Sequence, residues 1–164
     1  MMNNQIIKSY VYELTDFAMS KKDENILKSL QPYTFSQFDL YIKKSSIHGS
    51  GFGVFTHDFI PKGSLIDKYM GKYVDGLYGG DYYFRIDDHI GINALDAPRC
   101  YMAFLNDASY KPTSKRGLRK FNEHSFVNNC KFEVDIINKK VMVYSSVDIE
   151  PETELFISYG YDYW

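Results

Sequence analysis

From Phe38 onward the apolar residues recur at every second position, in runs too short for helices and closed by glycine, proline or asparagine. Phe38, Leu40 and Ile42 alternate, and further runs cover 82–86, 89–93, 131–137 and 140–144. Asn138-Lys139 is suited to a tight turn between the last two. A chain patterned this way folds into a mainly β domain of several short sheets. Cys100 to Leu105 fits a helical turn or two, and Tyr110 to Asn122, basic and polar with Pro112, Ser114 and Gly117, reads as an exposed loop.

Ahead of Phe38 the period is different. After a cap at Asn3 or Asn4, Ile6, Ile7, Tyr10, Val11, Leu14, Phe17 and Ala18 share one helical face. Lys21-Lys22-Asp23-Glu24 reads as a polar connection, and Ile26, Leu27 and Leu30 fit a second short helix that stops before Pro32. Residues 1–38 are therefore an N-terminal helical extension. Its apolar face packs on its own domain or, alternatively, on a second subunit as a homodimer or on another protein.

The 164 residues suggest one domain, and a hydrophobic fraction of 45% with 24% charged residues is that of a globular chain. A net charge of −2 argues against broad phosphate contact, so no direct sequence-specific nucleic-acid binding is expected. The two cysteines, Cys100 and Cys130, are too few for a four-cysteine zinc site or a disulfide framework. Nothing resembles a signal peptide or a membrane span, which points to a soluble, intracellular protein.

Three stretches stand out. Gly49-Ser50-Gly51-Phe52-Gly53 leads into an aromatic, β-branched strand instead of a phosphate-binding helix. Such a run fits a bent strand whose backbone comes close to something, or a plain glycine-rich hairpin. Next, Asp58 through Pro61 and Leu65 to Tyr69 repeats the spacing of Asp148 through Pro151 and Leu155 to Tyr159. If the echo is structural, it sets two tyrosines at one shared site. Finally, Glu154 to Trp164 is an apolar run followed by a Tyr-Gly step and more aromatic residues. It is either an aromatic plug for the core or a wall from which the Tyr159 phenol faces a cavity.

Taken together, residues 39–164 resemble a SET domain, the fold of most protein lysine methyltransferases. Gly51-Phe52-Gly53 with Val54-Phe55 looks like the first cofactor-binding loop of that family. Ile60-Pro61-Lys62-Gly63 and Asp67-Lys68-Tyr69-Met70-Gly71-Lys72 are similar to its turn and Glu-Tyr-x-Gly-Glu segment, with lysine at both glutamate positions. Asp96-Ala97, Ala103-Phe104-Leu105-Asn106, Asn129-Cys130 and the closing Ile149-Glu150-Pro151 through Tyr159-Gly160 follow in the family's order. The family's Asn-His-Ser is Asn106-Asp107-Ala108 here, and an insertion at about 109–127 precedes Asn129. Within it Asn122-Glu123-His124-Ser125 is a rival match for the cofactor residue.

The resemblance implies a β-clip of short sheets with a threaded C-terminal segment, and an enzyme that moves a methyl group from S-adenosyl-L-methionine to lysine without a metal. It implies Tyr159 as the hydroxyl nearest the transferring methyl and Tyr69 in the lysine channel. Gly51, Phe52, Gly53, Tyr82, Asn106 and Asp107 would hold the cofactor, with Tyr83 an alternative to Tyr82 and a cross-strand packing pair the plainer role for either. Phe132, Ile157, Tyr161 and Trp164 would join Tyr69 around the substrate. The expected substrate is a histone tail or another basic, lysine-containing segment, carried to the dimethyl or trimethyl state, which would place the protein in the nucleus. Asp75, Asp81, Asp87 and Asp88 either attract that segment or are solvated turn residues. The alternative function is a non-catalytic module of the same fold that binds peptide or cofactor.

Overall fold

The computed structural model describes residues 19–76, 79–111, 120–121 and 126–160. It contains one α-helix, a short 3-10 turn and eleven short strands among those residues. Helix α1 runs Lys21–Ser29. The segment 21–24, expected as a connection, is instead its first turn. Ser20 accepts from the Asp23 backbone N–H while the Asp23 carboxylate accepts from the Ser20 N–H, a reciprocal cap that fixes the start. Leu27 and Leu30 pack on the core, and so do Tyr33 and Phe38 just beyond. The first expected helix and the expected dimer face lie outside the described residues.

The strands are β1 (Leu40–Lys44), β2 (Phe52–Thr56), β3 (Leu65–Tyr69), β4 (Lys72–Asp75), β5 (Tyr83–Arg85) and β6 (Ile90–Asn93), then β7 (Tyr110–Lys111), β8 (Lys120–Phe121), β9 (Cys130–Asp135), β10 (Lys140–Ser145) and β11 (Thr153–Leu155). They form small antiparallel sheets in the orders β1-β2-β11, β3-β10-β9 and β4-β6-β5, with β7-β8 as a hairpin at the ends of the expected loop. The β9–β10 connection is a four-residue turn over 136–139, wider than a two-residue turn, with Lys139 at φ 54°. Asn138 closes it by donating from its backbone and side chain to the Asp135 carboxylate.

Alternation puts Val54, Ile66, Ile92, Val141, Val143 and Leu155 inward, and they share one core with Ile60, Met102 and Ile149. The 3-10 turn Tyr101–Phe104 packs its Met102 and Phe104 there as well. Cys100 and Cys130 are buried, free thiols. Burial pushes the Cys130 thiol up to about 12, so it stays protonated and inert.

After β11 the chain runs beside two other segments. Phe156 bridges Asn106 and Ile157 bridges Cys130, both in parallel. The two halves of the echo meet directly, since Ile60 pairs with Ile149 in both hydrogen-bond directions. Tyr69 ends β3, whereas Tyr159 lies past the end of β11, so the copies differ after the shared turn.

Candidate active site

The cleft to which these segments lead has a volume of about 960 Å³. Ser50, Gly51 and Phe52 form one wall, the 3-10 turn through Asn106 another, and Tyr69, Tyr82, Tyr83, Phe84, Phe132, Ile157 and Tyr159 are among the other lining residues. Both echo tyrosines therefore face one cavity.

At one end the walls are aromatic. The rings of Phe84 and Phe132 lie 4.7 Å apart edge to face, with Tyr69 at 5.8 Å from Phe84 and 6.2 Å from Phe132. Tyr69 is 7% exposed, and its hydroxyl donates to the Tyr82 carbonyl at 2.7 Å. That bond fixes the phenol while leaving its oxygen able to accept. Tyr82 holds the carbonyl in place from a left-handed conformation, φ 65°, unusual for a residue with a side chain.

Tyr159 is positioned twice. Its backbone N–H donates to Asp107 at 2.8 Å, and its hydroxyl donates to the Leu105 carbonyl at 2.5 Å. Asn106 sits between. Its Nδ2 donates to the Phe52 carbonyl at 2.8 Å and to Glu154 Oε1 at 3.3 Å. Both partners are acceptors, so the amide orientation is unambiguous, and the Oδ1 of Asn106 is left as an acceptor in the cleft wall.

Glu154 is the brace behind this wall, and the sequence reading gave it no role beyond the motif. Its carboxylate is 3% exposed and accepts from the Ser45 hydroxyl at 2.7 Å and the Ser46 N–H at 2.6 Å, besides Asn106. Gly53 lies against it: a Cβ there would overlap the Glu154 carboxylate. The close approach expected at the glycine run exists, but at Gly53 it is made to Glu154, and Gly53 does not line the cleft. Gly51 and Phe52 do line it, and Gly51 has φ 69°.

Asp107, expected as a cofactor contact, also takes another place. It is 4% exposed and absent from the cleft wall. Its carboxylate orders the Tyr159 backbone, the Ser109 N–H and Asn128 instead. Tyr82 and Tyr83 both reach the cleft, but Tyr83 also covers Gly91 across the sheet, where a Cβ would overlap its ring. Of the four aspartates, Asp81 lines the cleft. Asp88 pairs with Arg85, and Asp87 with Lys139, whose ammonium holds the Asp87 carboxyl down to about 2. Tyr161, Trp164 and the rival Asn122-His124 segment lie outside the described residues. Phe84, Arg99 and Met102 are cleft residues that no sequence pattern singled out.

Comparison with known proteins shows which family the sequence and fold resemble. The chain is similar to a Plasmodium falciparum protein with the provisional name histone-lysine N-methyltransferase 1, at 30% identity over 78% of this chain and 2% of that one. It is also similar to a Chaetomium globosum histone-lysine N-methyltransferase specific for H3 lysine 4, at 26% identity over 73% of this chain and 11% of that one. It thus spans only a small part of these curated relatives. Among solved structures, KRYPTONITE in complex with mCHH DNA, H3(1-15) peptide and SAH superposes with a TM-score of 0.56 at 23% identity, over 77% of this chain and 24% of that one. A provisional histone methyltransferase of Plasmodium falciparum superposes at 0.51 with 25% identity, over 78% of this chain and 98% of that one. The model of the SET domain matches residues 51–160, the stretch that begins at the Gly51 wall of the cleft and ends just past Tyr159. Because that match covers well over half of its length, the chain belongs to the SET-domain family.

Proposed function

We propose that this protein is an S-adenosyl-L-methionine-dependent protein lysine N-methyltransferase acting on a histone tail or a similar basic segment. One observation carries the reading: Tyr159, Tyr69 and Asn106, distant in sequence, line one cleft together with the packed rings of Phe84 and Phe132. The residues fit the cofactor. The cleft is of the size that takes a nucleoside-sized ligand together with an inserted side chain, and Asn106 Oδ1 is an acceptor fixed in its wall. Gly51, Phe52, Asn106 and Tyr82 would hold it. When bound, S-adenosylmethionine supplies an electrophilic methyl on a positively charged sulfur.

The chain's own residues do the rest. A free lysine has a pKa of ~10.4, so its attacking neutral form is scarce at pH 7. The rings of Tyr69, Phe84 and Phe132 attract the ammonium as it enters, exclude water and then disfavour its charge. The hydroxyls of Tyr69 and Tyr159, each held by a backbone carbonyl, keep oxygen lone pairs to orient the amine in line. Strand β5 has β6 as its one partner among the described residues, which leaves an edge beside the packed rings for the substrate to add as a strand. The segment after β11 is read as the family's threaded closing piece, on the support of its bridges to Asn106 and Cys130. Neither Phe132 nor Ile157 can hydrogen-bond the nitrogen, so a methylated amine has room to turn and react again, favouring dimethyl or trimethyl product.

The test is methyl transfer from labelled S-adenosylmethionine to a histone panel, with product masses read at long times. Labelled histone carrying more than one methyl group is expected. Cofactor binding with no transfer to any protein would support the non-catalytic module instead, and product stopping at monomethyl would refute the multiplicity.

A further inference from the structure

Arg99 is a buried cation with no counter-charge among the described residues. It is 7% exposed and lines the cleft. Its guanidinium lies 4.2 Å from the Tyr82 ring centre and 5.4 Å from that of Phe104, both cleft residues. Its Nε and Nη2 donate to a single acceptor, the Leu95 carbonyl. No carboxylate among the described residues forms an ion pair with it. A guanidinium has more N–H groups than one carbonyl can satisfy, and the rest have no acceptor among the described residues. Burying such a charge unpaired is expensive, whereas two aromatic faces and one carbonyl fix it in a defined orientation.

Resting on the cofactor reading above, we propose that Arg99 is the anion anchor of the cleft and takes the carboxylate at the amino-acid end of the methyl donor. A planar fork matches a carboxylate in both geometry and charge. Occupation reaches the lysine channel through one residue: the Tyr82 ring stacks on Arg99, and the Tyr82 carbonyl holds the Tyr69 hydroxyl. Arg99 thereby selects donors that retain the carboxylate and steadies Tyr69 once one is bound.

The experiment compares two ligands that differ only in that group, S-adenosylmethionine and its decarboxylated form, by calorimetry on the whole chain. A lost charge-assisted bond of this kind corresponds to about 10–100-fold in affinity. The wild type should prefer the intact donor by that factor, Arg99→Gln should abolish the preference, and Arg99→Lys should retain part of it. Equal binding of both ligands to the wild type would leave the cofactor reading standing and overturn the role of Arg99. An undiminished preference in Arg99→Gln would do the same. If that variant does not fold, the wild-type ratio and the Lys variant still decide. Binding of neither ligand by the folded wild type would overturn the methyltransferase reading, and the anchor with it.

Discussion

Removing the Glu154 carboxylate should be among the most damaging single changes in the molecule. It is 3% exposed and takes two short bonds, from the Ser45 hydroxyl at 2.7 Å and the Ser46 N–H at 2.6 Å, and a longer one from Asn106 at 3.3 Å. Hydrogen bonds to a charged group contribute roughly 1.5–3 kcal/mol each. Taking the two short bonds at the low end, because water can enter the vacated space, gives about 3 kcal/mol for Glu154→Ala. Glu154→Gln keeps the shape and one oxygen. Its new NH2 must face either the Ser46 N–H or the Asn106 amide, both donors, so about 1.5 kcal/mol is lost. Urea unfolding followed by tyrosine fluorescence measures both, with the slope unchanged if only stability is affected. The NH2 faces Asn106 at the lower cost, because that bond is the longer one and the Ser45 hydroxyl can turn to accept, so Asn106 is then held only by Phe52 and the Gln variant should also lose cofactor affinity. Destabilisation of Glu154→Ala below about 1 kcal/mol would refute the brace, since one average hydrogen bond would account for it.

Tyr159→Phe should remove most methyl transfer while lowering stability by only about 1 kcal/mol, the effect of leaving the Leu105 carbonyl unpaired; near wild-type turnover excludes the hydroxyl from the reaction. Phe132→Tyr should shift product toward monomethyl in mass spectra at long times, and an unchanged distribution makes Phe132 a packing residue only. His57 donates to the Glu152 carboxylate at 2.7 Å, which raises the His57 pKa above 6.5, while the Tyr41 hydroxyl donating at 2.6 Å and then His57 lower that of Glu152 below 4.5. The histidine's contribution is complete below pH 6.5 and fades as pH rises through its folded value, while the glutamate's is complete above pH 4.5 and fades as pH falls. The pH–stability profile of His57→Asn should lack the decline above pH 6.5, and identical profiles would dismiss the tie. Lys139→Ala should return the Asp87 carboxyl from about 2 toward 3.8 in an NMR titration; a fixed value would mean that the His89 and Ile90 backbone N–H groups set it alone.

The strands were legible because two-residue alternation and turn residues are local properties. Phe38, Leu40 and Ile42 announce β1 wherever they pack, and Tyr69 and Tyr159 were readable from a spaced repeat. Helix α1 began earlier than expected because Lys21 to Glu24 carry no apolar residue, yet Ser20 and Asp23 form a cap visible at three-residue spacing. Asp107 was expected at the cofactor beside Asn106, and its side chain takes a different direction. In an extended segment neighbouring side chains point to opposite sides, and Asp107 turns to the Tyr159 backbone. Gly53 faces Glu154 for the same reason, one residue beyond Phe52. Arg99 was beyond reach, since nothing local distinguishes a buried arginine from a solvated one. Its isolation is a property of what the assembled chain places around it.

The pairing of the two echo turns also governs when the cleft comes into being. Strand β2 receives β11 from about a hundred positions away, Ile60 waits for Ile149, and Asn106 and Cys130 wait for Phe156 and Ile157. None of these closures is local, so each must overcome the entropy of a long loop before it is rewarded. During synthesis the Gly51, Tyr69 and Arg99 walls leave the ribosome with no opposing side. The cleft closes only after residue 159 has emerged, so a ligand that needs both walls can bind only a chain completed to that point and reports on its final docking step.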